Sequence, residues 1–240
     1  MLCRINFGGC MKQSRISRSR KRTLDQPDEF VTFSSKVIKF VVEHKVAFTC
    51  AAGIIIAAGI IIAGMCFFSN QAESKAFAML DNAVMKYRTG LQHKGAAEAL
   101  KDVNGDFQLI LDKYARRRGG KLSRVVFANI CFDAGEFDRS ISLYEKALED
   151  FENRPEIRNL ALNGLGYAHE AKNEYETAVG YFEMIASGSS PVMKADAFFN
   201  MGRLYELTGD TDKSRAAYEK IITGYPESMY IELVREKTAS

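Results

Sequence analysis

This 240-residue chain has few side chains suited to catalysis, and the familiar catalytic motifs are missing from it. Its three histidines, His44, His93 and His169, are far apart in the sequence. No G-x-S-x-G segment, Walker loop, H-E-x-x-H motif or Rossmann fingerprint is present. Because an active site brings several titratable groups together, the sequence predicts a protein that is not an enzyme and needs no cofactor.

Cysteine is scarce, and its spacing excludes the usual cysteine-based sites. The five cysteines are Cys3, Cys10, Cys50, Cys66 and Cys131, and no pair forms a C-x-x-C motif or a His/Cys cluster with metal-ligand spacing. We therefore expect no metal site. Only Cys131 follows residue 70, so the C-terminal part has no intramolecular disulfide and must be stabilised by its packed core.

Residues 46–68 lack any charge, proline or amide side chain. A helix of this length spans about 34 Å, and the hydrocarbon core of a bilayer is about 30 Å thick. A buried core helix is the alternative, but such helices rarely stay apolar on every face. A cleaved signal peptide fits less well, because its apolar region is usually shorter and no A-x-A-like site follows. The sequence predicts a transmembrane helix over 46–68.

The charges preceding this segment predict its orientation. Residues 1–45 contain ten lysines and arginines against four acidic residues. Positive charge beside a span favours the cytoplasmic side, so we expect a single-pass protein of the inner membrane with a cytoplasmic N-terminus and a periplasmic C-terminal domain. Nucleic-acid binding is the competing interpretation of the basic tail. Since topology already explains the charge, we expect no nucleic-acid partner.

Two segments precede the predicted span. Residues 1–28 are polar and basic, and we expect them to be disordered because they have little apolar surface to bury. Residues 29–45 carry an apolar face at helical spacing and predict an amphipathic juxtamembrane helix. It either positions the anchor or docks a membrane partner. The apolar face consists of Phe30, Phe33, Val37, Phe40 and Val41.

The region after the span, residues 71–240, predicts an all-helical domain. Residues 71–91 and 96–117 each show an apolar stripe at helical spacing and are expected to form a first hairpin. Ser69 and Asn70 would link this hairpin to the span. Gly119 and Gly120 are then expected to break the chain.

Three repeats follow, at about 121–154, 159–192 and 195–228. Gly202 follows Gly166 by 36 positions, and Gly166 follows Ala128 by 38, close to the 34-residue period of the tetratricopeptide repeat. A small residue on each first helix lets the second helix approach, and a large aromatic side chain fills the space beside it. The predicted packing residues are Ala128, Tyr144, Gly166, Ala178, Phe182, Gly202, Tyr205, Tyr218 and Pro226.

The ends of the first helices and of the whole repeat region can also be predicted. Gly135, Asn173 and Gly209 end the three first helices and tolerate a left-handed backbone. His169 stands where the next repeat has Tyr205, so we expect it to pack between helices. Residues 227–237 predict a final helix that covers the last repeat. The fold class is therefore all-α, with one N-terminal transmembrane helix followed by a tetratricopeptide-repeat solenoid.

Taken together, the D-E-F…H-K segment before the span, the span and the in-phase repeats resemble a family of bacterial inner-membrane proteins. The resemblance covers residues 28–240 and is to the ancillary SecYEG translocon subunit family. It implies association with the translocon, with periplasmic chaperones or with client polypeptides.

The concave surface of such a solenoid is formed by the first helices of the repeats. Register places Asn129, Asn163, Tyr167, Asn200 and Arg203 there. Amide side chains both donate and accept, and can therefore hold an extended peptide backbone. Alternatively, these residues are merely solvated.

The predicted function is a membrane-anchored adaptor for protein–protein interaction. Gly164 stands where the carboxylate-clamp form of this fold has an asparagine, which argues against recognition of a free C-terminus. A self-associating structural scaffold of an envelope assembly is the alternative, and would make the protein a homo-oligomer.

Overall fold

The computed structural model describes residues 29–239, with side chains from residue 33 onward. The predicted disordered tail, residues 1–28, lies outside the described residues. Within residues 29–239 the chain is helical, without strands. Its helices are α1 (Glu29–Glu43), α2 (Lys45–Lys94), α3 (Ala96–Tyr114), α4 (Arg118–Asp133), α5 (Phe137–Asp150), α6 (Pro155–Ala171), α7 (Tyr175–Ser187), α8 (Lys194–Thr208), α9 (Thr211–Gly224) and α10 (Ile231–Ala239).

The chain divides into two compact units, one ending at Met65 and the other beginning at Cys66. The N-terminal unit holds α1, where the amphipathic helix was predicted, and the first part of α2. The two helices are nearly continuous. The N–H of His44 donates to the carbonyl of Phe40 at 3.1 Å, and the carbonyl of His44 accepts from the N–H of Phe48 at 3.0 Å. The apolar side chains of this unit, such as Ile55 and Ile61, are exposed.

By length and composition, α2 is the one described helix that could cross a membrane, and none of its most apolar window is buried. Signal sequences and core helices can satisfy the same two criteria, so the membrane assignment is taken up below as a proposal. The predicted link at Ser69 and Asn70 is itself helical, because α2 runs unbroken from Lys45 to Lys94. Neither residue is a strong helix breaker, since serine and asparagine cost well under 1 kcal/mol relative to alanine.

The C-terminal unit begins with the predicted hairpin. The second part of α2 packs on α3 and α4, with Leu80, Ala83 and Tyr87 in one buried cluster with residues of both helices. Phe107 on α3 and Phe127 on α4 stack at the centre of the cluster, with ring centroids 4.6 Å apart. The three repeats follow as α4/α5, α6/α7 and α8/α9, each with its own buried cluster.

The prediction that Gly119 and Gly120 break the chain was wrong. The turn lies at residues 115–117, and both glycines are in the first turn of α4. They are needed for close approach: a Cβ on Gly119 would stand 2.8 Å from the Cβ of Ala76, and one on Gly120 would overlap the carbonyl of Tyr114. The N-terminus of α4 is capped by Glu73, whose carboxylate accepts from Gly119 N–H at 2.7 Å.

The ends of the first helices are as predicted. Gly135, Asn173 and Gly209 have φ of 80°, 62° and 80°, in the left-handed region. In each turn the following N–H donates back to the carbonyl five residues earlier, which satisfies a helix-terminal acceptor. These bonds join Glu136 to Cys131, Glu174 to His169 and Asp210 to Tyr205, at 2.8, 2.9 and 2.8 Å.

Small residues of the first helices pack against aromatic rings of the second helices, but Tyr144 has a different partner from the predicted one. A Cβ on Gly202 would overlap the ring of Tyr218, and one on Gly166 would overlap the ring of Phe182. The ring of Tyr144, by contrast, lies against Gly164 of the following repeat. Gly164 is therefore fixed by packing, and a larger residue there would displace Tyr144. Ala128 and Ala178 are fully buried, as predicted.

Two predicted packing residues behave differently. Tyr205 is only partly buried, and its hydroxyl donates to Glu183 at 3.2 Å. Pro226 is exposed in the turn after α9 and is not part of a buried cluster. It follows the helix end because a residue before proline is forced out of the helical region, and the φ of Tyr225 is −139°. The final helix α10 starts at Ile231 and buries Val234 beside Tyr218.

Candidate peptide-binding surface

The concave face of the repeats contains two adjoining cavities. The first, about 280 Å³, lies between α4 and α6, and the second, about 550 Å³, lies between α6 and α8. Phe132 and Tyr167 line both of them. We call their combined lining the concave groove. It includes all five predicted residues, namely Asn129, Asn163, Tyr167, Asn200 and Arg203.

Asn129 belongs to the first cavity and is already engaged on one side. Its Oδ1 accepts a hydrogen bond from the hydroxyl of Tyr144, the aromatic residue that packs against Gly164. Burial raises the pKa of Tyr144 well above its usual value, so the hydroxyl stays protonated and remains a donor. Asn129 thus connects the wall of the first cavity to Tyr144 in the core of the repeats.

Asn163 is the most informative residue of the groove. Its Oδ1 is buried and has no hydrogen-bond partner among the described residues. Leaving a buried acceptor unpaired costs about 1–3 kcal/mol. A donor brought by a bound molecule would offset that cost, and a peptide N–H is such a donor.

Tyr167 and Asn200 bind each other across the second and third repeats. Asn200 Nδ2 donates to the hydroxyl of Tyr167 at 3.0 Å, and the Tyr167 ring packs edge-on against Phe182, with centroids 5.6 Å apart. Asn200 is only 2% exposed. It therefore orients Tyr167, whose ring forms part of the groove wall.

Arg203 is paired with Glu170. Two guanidinium nitrogens donate to the two carboxylate oxygens at 2.5 and 2.6 Å, and a third bond of 3.2 Å reaches Asn200 Oδ1. Hydrogen bonding to Glu170 raises the pKa of Arg203 further. Because the carboxylate balances the guanidinium charge, this part of the groove is close to neutral.

Sequence reasoning missed several groove residues. Phe132 lies three positions after Asn129, and Glu170 lies three after Tyr167, so each shares a helix face with a predicted residue and could have been found by extending the register. Tyr230, from the turn before α10, lines neither cavity, but its ring stacks on that of the groove residue Phe199, with centroids 4.2 Å apart.

The groove contains no arrangement typical of catalysis. His169 lies outside it: its Nδ1 is 2.5 Å from Glu174 Oε2, and its ring stacks on Tyr181, with centroids 5.2 Å apart. Those contacts agree with the predicted packing role. In residues 29–239 no three His, Cys, Asp or Glu side chains are grouped as a metal site would require. That the protein is not an enzyme stays a prediction.

Comparison of the sequence with protein-family models also identifies the repeats. Two family models described as tetratricopeptide repeat match the chain, over residues 126–193 and 196–228. The chain therefore contains tetratricopeptide repeats, and the predicted solenoid is confirmed for this part. Repeats of this kind support a role in protein–protein interaction.

Two solved structures are similar to the chain. The crystal structure of BtubC (BKLC) from P. vanneervenii is 16% identical, with a TM-score of 0.47, and the match covers 65% of this chain and 74% of that one. The MamA RS-1 ArsTM double mutant is 17% identical, with a TM-score of 0.47, and the match covers 67% of this chain and 88% of that one. Comparison with curated proteins gives no match.

Proposed function

We propose that this protein is a membrane-anchored adaptor that holds an extended segment of another protein in its concave groove. The observation that carries the proposal is that Asn163, whose Oδ1 is buried and has no partner among the described residues, lines a cavity together with the apolar side chains of Phe132 and Leu160. Leu160 beside it is 48% exposed, and Tyr167 faces the same cavity. An extended peptide supplies both the N–H donor and the apolar side chains that such a cavity accommodates.

The charge of the groove narrows the class of ligand. Arg203 is balanced by Glu170, and Gly164 leaves no side chain where a carboxylate clamp has an asparagine. A free C-terminal carboxylate therefore has no unpaired cation to bind here. The preferred segment is an internal, largely apolar stretch of a partner protein.

The membrane anchor in this proposal is the apolar segment 46–68. Its large apolar side chains are exposed in the structure, and the excess of basic residues before it favours a cytoplasmic N-terminus. The repeats would then lie in the periplasm beside the inner membrane. Tethering raises the effective concentration of the groove near membrane-associated partners.

The partner proposed is the protein-export translocon, a periplasmic chaperone or a polypeptide being exported. Support comes from the resemblance of residues 28–240 to the ancillary translocon subunit family. A groove for extended, apolar segments also suits an unfolded client, because such a chain exposes its backbone donors and apolar side chains together.

Site-specific crosslinking tests the adaptor. A photoreactive residue at Leu160 lies in the groove, and one at Met184, which is exposed on α7, is the matched control. We expect crosslinks to a partner from Leu160, reduced by Asn163→Ala, and none from Met184. Equal crosslinking from both positions would contradict the proposal.

A self-associating scaffold is the second candidate function. It is favoured by apolar side chains at the C-terminal end of the repeats, where Met229 is 86% exposed and Leu233 is 44% exposed. Crosslinks from Leu233 to the protein's own peptides, with none to other proteins from Leu160, would favour the scaffold over the adaptor.

The anchor and its orientation have a separate test. Alkaline washing should leave the full chain in the membrane fraction, and a reporter fused after Ser240 should be active only outside the cytoplasm. Extraction by alkali would contradict the anchor, and cytoplasmic activity would contradict the orientation.

A further inference from the structure

A cluster of cations at the turn between α3 and α4 is not used by the concave groove. It consists of Lys113, Arg116, Arg117 and Arg118, and none of them forms an ion pair within residues 29–239. We call these four residues the basic turn. A cavity of about 430 Å³ lies against it, lined by Lys113, Arg116 and Arg117 together with Asp112 and Tyr114.

Two acidic side chains beside the basic turn, those of Glu73 and Asp112, leave its charge largely uncompensated. The Glu73 carboxylate is occupied by two backbone N–H groups, those of Arg118 at 3.1 Å and Gly119 at 2.7 Å. Asp112 lines the same cavity as Arg116 but is not ion-paired with it. Four cations against two carboxylates, one of them already hydrogen-bonded, leave a net positive surface suited to an anion.

The position of the basic turn identifies the anion. Arg117 Nη1 donates to the hydroxyl of Ser69, the residue that directly follows the end of the apolar segment. Phe67 and Phe68, just before it, are 65% and 69% exposed and lie in the same unit as the basic turn. Within this unit, the guanidinium cluster therefore stands level with the last apolar residues of α2.

The register that produces this juxtaposition is fixed by packing. Gly119 lies so close to Ala76 that a Cβ would not fit without displacement, and Glu73 caps α4 one helical turn after Ser69. Sliding α2 along α4 would break both contacts. The basic turn is thus held at the level of Ser69 by two contacts besides its own hydrogen bond.

We infer that the basic turn binds the phosphate groups of anionic phospholipids and holds the start of the repeat domain on the bilayer surface. This inference rests on the proposed membrane anchor. Guanidinium groups bind phosphate through paired hydrogen bonds, and aromatic side chains are enriched at the headgroup level. An acidic protein surface would also attract the cations, but the position of the basic turn beside Phe67 and Phe68, at the end of the proposed anchor, favours the lipid headgroups.

The test compares hydrogen exchange of the full chain in two kinds of nanodisc, one containing phosphatidylglycerol and one containing only phosphatidylcholine. Each basic residue near an anionic surface strengthens binding about fivefold. We expect exchange of the amides in residues 113–121 to be slowed about fivefold or more by phosphatidylglycerol. The amides of α9 should exchange equally in both.

Two variants make the comparison specific. Lys113→Gln/Arg116→Gln removes two of the four cations and leaves the Arg117–Ser69 bond in place, and it should clearly reduce the slowing. Lys146→Gln/Lys220→Gln removes from α5 and α9 two exposed lysines that form no ion pair with any described residue, and it should retain the slowing.

The outcomes separate this inference from the proposed anchor. Equal exchange in both nanodiscs, or equal loss in both variants, would overturn lipid binding while leaving the anchor intact. A chain that does not co-purify with nanodiscs of either composition would overturn the anchor, and the inference with it.

Discussion

Glu170 on α6 and Arg203 on α8 join the second and third repeats through two hydrogen bonds of 2.5 and 2.6 Å. The pair is partly buried, with side-chain exposures of 21% and 35%. It lies in the wall of the concave groove, where Arg203 alone had been predicted. Arg203 therefore shapes the groove by fixing the angle between repeats, and its charge is not free for a ligand.

The first prediction concerns this pair. In a double-mutant cycle with Glu170→Ala and Arg203→Ala, we expect a coupling free energy of about 1 kcal/mol, because paired charged hydrogen bonds are strong but this one is partly screened by water. Urea unfolding of the detergent-solubilised full chain measures it. The more exposed pair Asp138–Lys172, 2.8 Å apart, is the control and should couple less. Equal coupling in both cycles would contradict the prediction.

The second prediction compares two glycines within helices. Gly202→Ala should lower the free energy of unfolding by about 1–3 kcal/mol, because the added methyl group overlaps the ring of Tyr218. Gly180→Ala should raise it by about 0.5–1 kcal/mol, because an added Cβ would meet no atom within 4 Å apart from the adjacent backbone of its own helix, and alanine is the better helix former. Thermal or urea unfolding checks both, and effects of the same sign would refute the assignment.

The residues at helix ends and at close helix contacts show how much of the fold could be predicted from the sequence. Gly135, Asn173 and Gly209 were identified correctly because a left-handed helix end is a local property of the chain. Gly119 and Gly120 were misinterpreted as a break because their role depends on Ala76 and Tyr114. No local pattern distinguishes a glycine that ends a helix from one that admits a neighbouring helix.

In the candidate site, too, the positions of residues could be predicted from the sequence, but their hydrogen-bond partners could not. Helical register predicted Asn163 and Tyr167 on the face that lines the concave groove, since position on a helix follows from spacing alone. The pairing of Arg203 with Glu170, and of Asn200 with Tyr167, spans 33 positions in each case. Such partners depend on how neighbouring repeats stack, which the sequence of one repeat does not specify.

The third prediction concerns Cys131, which is fully buried in the core around α2, α3 and α4. Burial raises the pKa of its thiol to about 11, so at pH 8 the reactive thiolate is scarce. We expect iodoacetamide to modify Cys131 at least about a hundredfold more slowly in the folded chain than in urea. Peptide mass spectrometry separates this site from the other cysteines. Rapid modification in the folded chain would show that the core opens.

The fourth prediction concerns Asp210, which caps α9. Its Oδ1 accepts from Lys213 N–H at 3.2 Å, and its Oδ2 lies 2.7 Å from Lys213 Nζ. Hydrogen bonding to the Lys213 side chain, and then to its backbone N–H, holds the pKa of Asp210 below 3.8 in the folded chain. The ionised carboxylate thus stabilises the fold above that value, and its contribution is lost as the pH falls through the lower, folded pKa.

Asp210→Asn should therefore be less stable than the wild type at pH 7, and the difference should shrink as the pH falls below about 4. Urea unfolding between pH 7 and pH 3 measures it. Asp212→Asn is the control, because Asp212 is exposed in the first turn of the same helix and forms no ion pair within the described chain. It should change the stability less at pH 7. If the Asp210→Asn difference persisted unchanged at pH 3, the carboxylate would not be the source of the stabilisation, because protonation of the wild-type side chain removes the charge that the asparagine variant lacks.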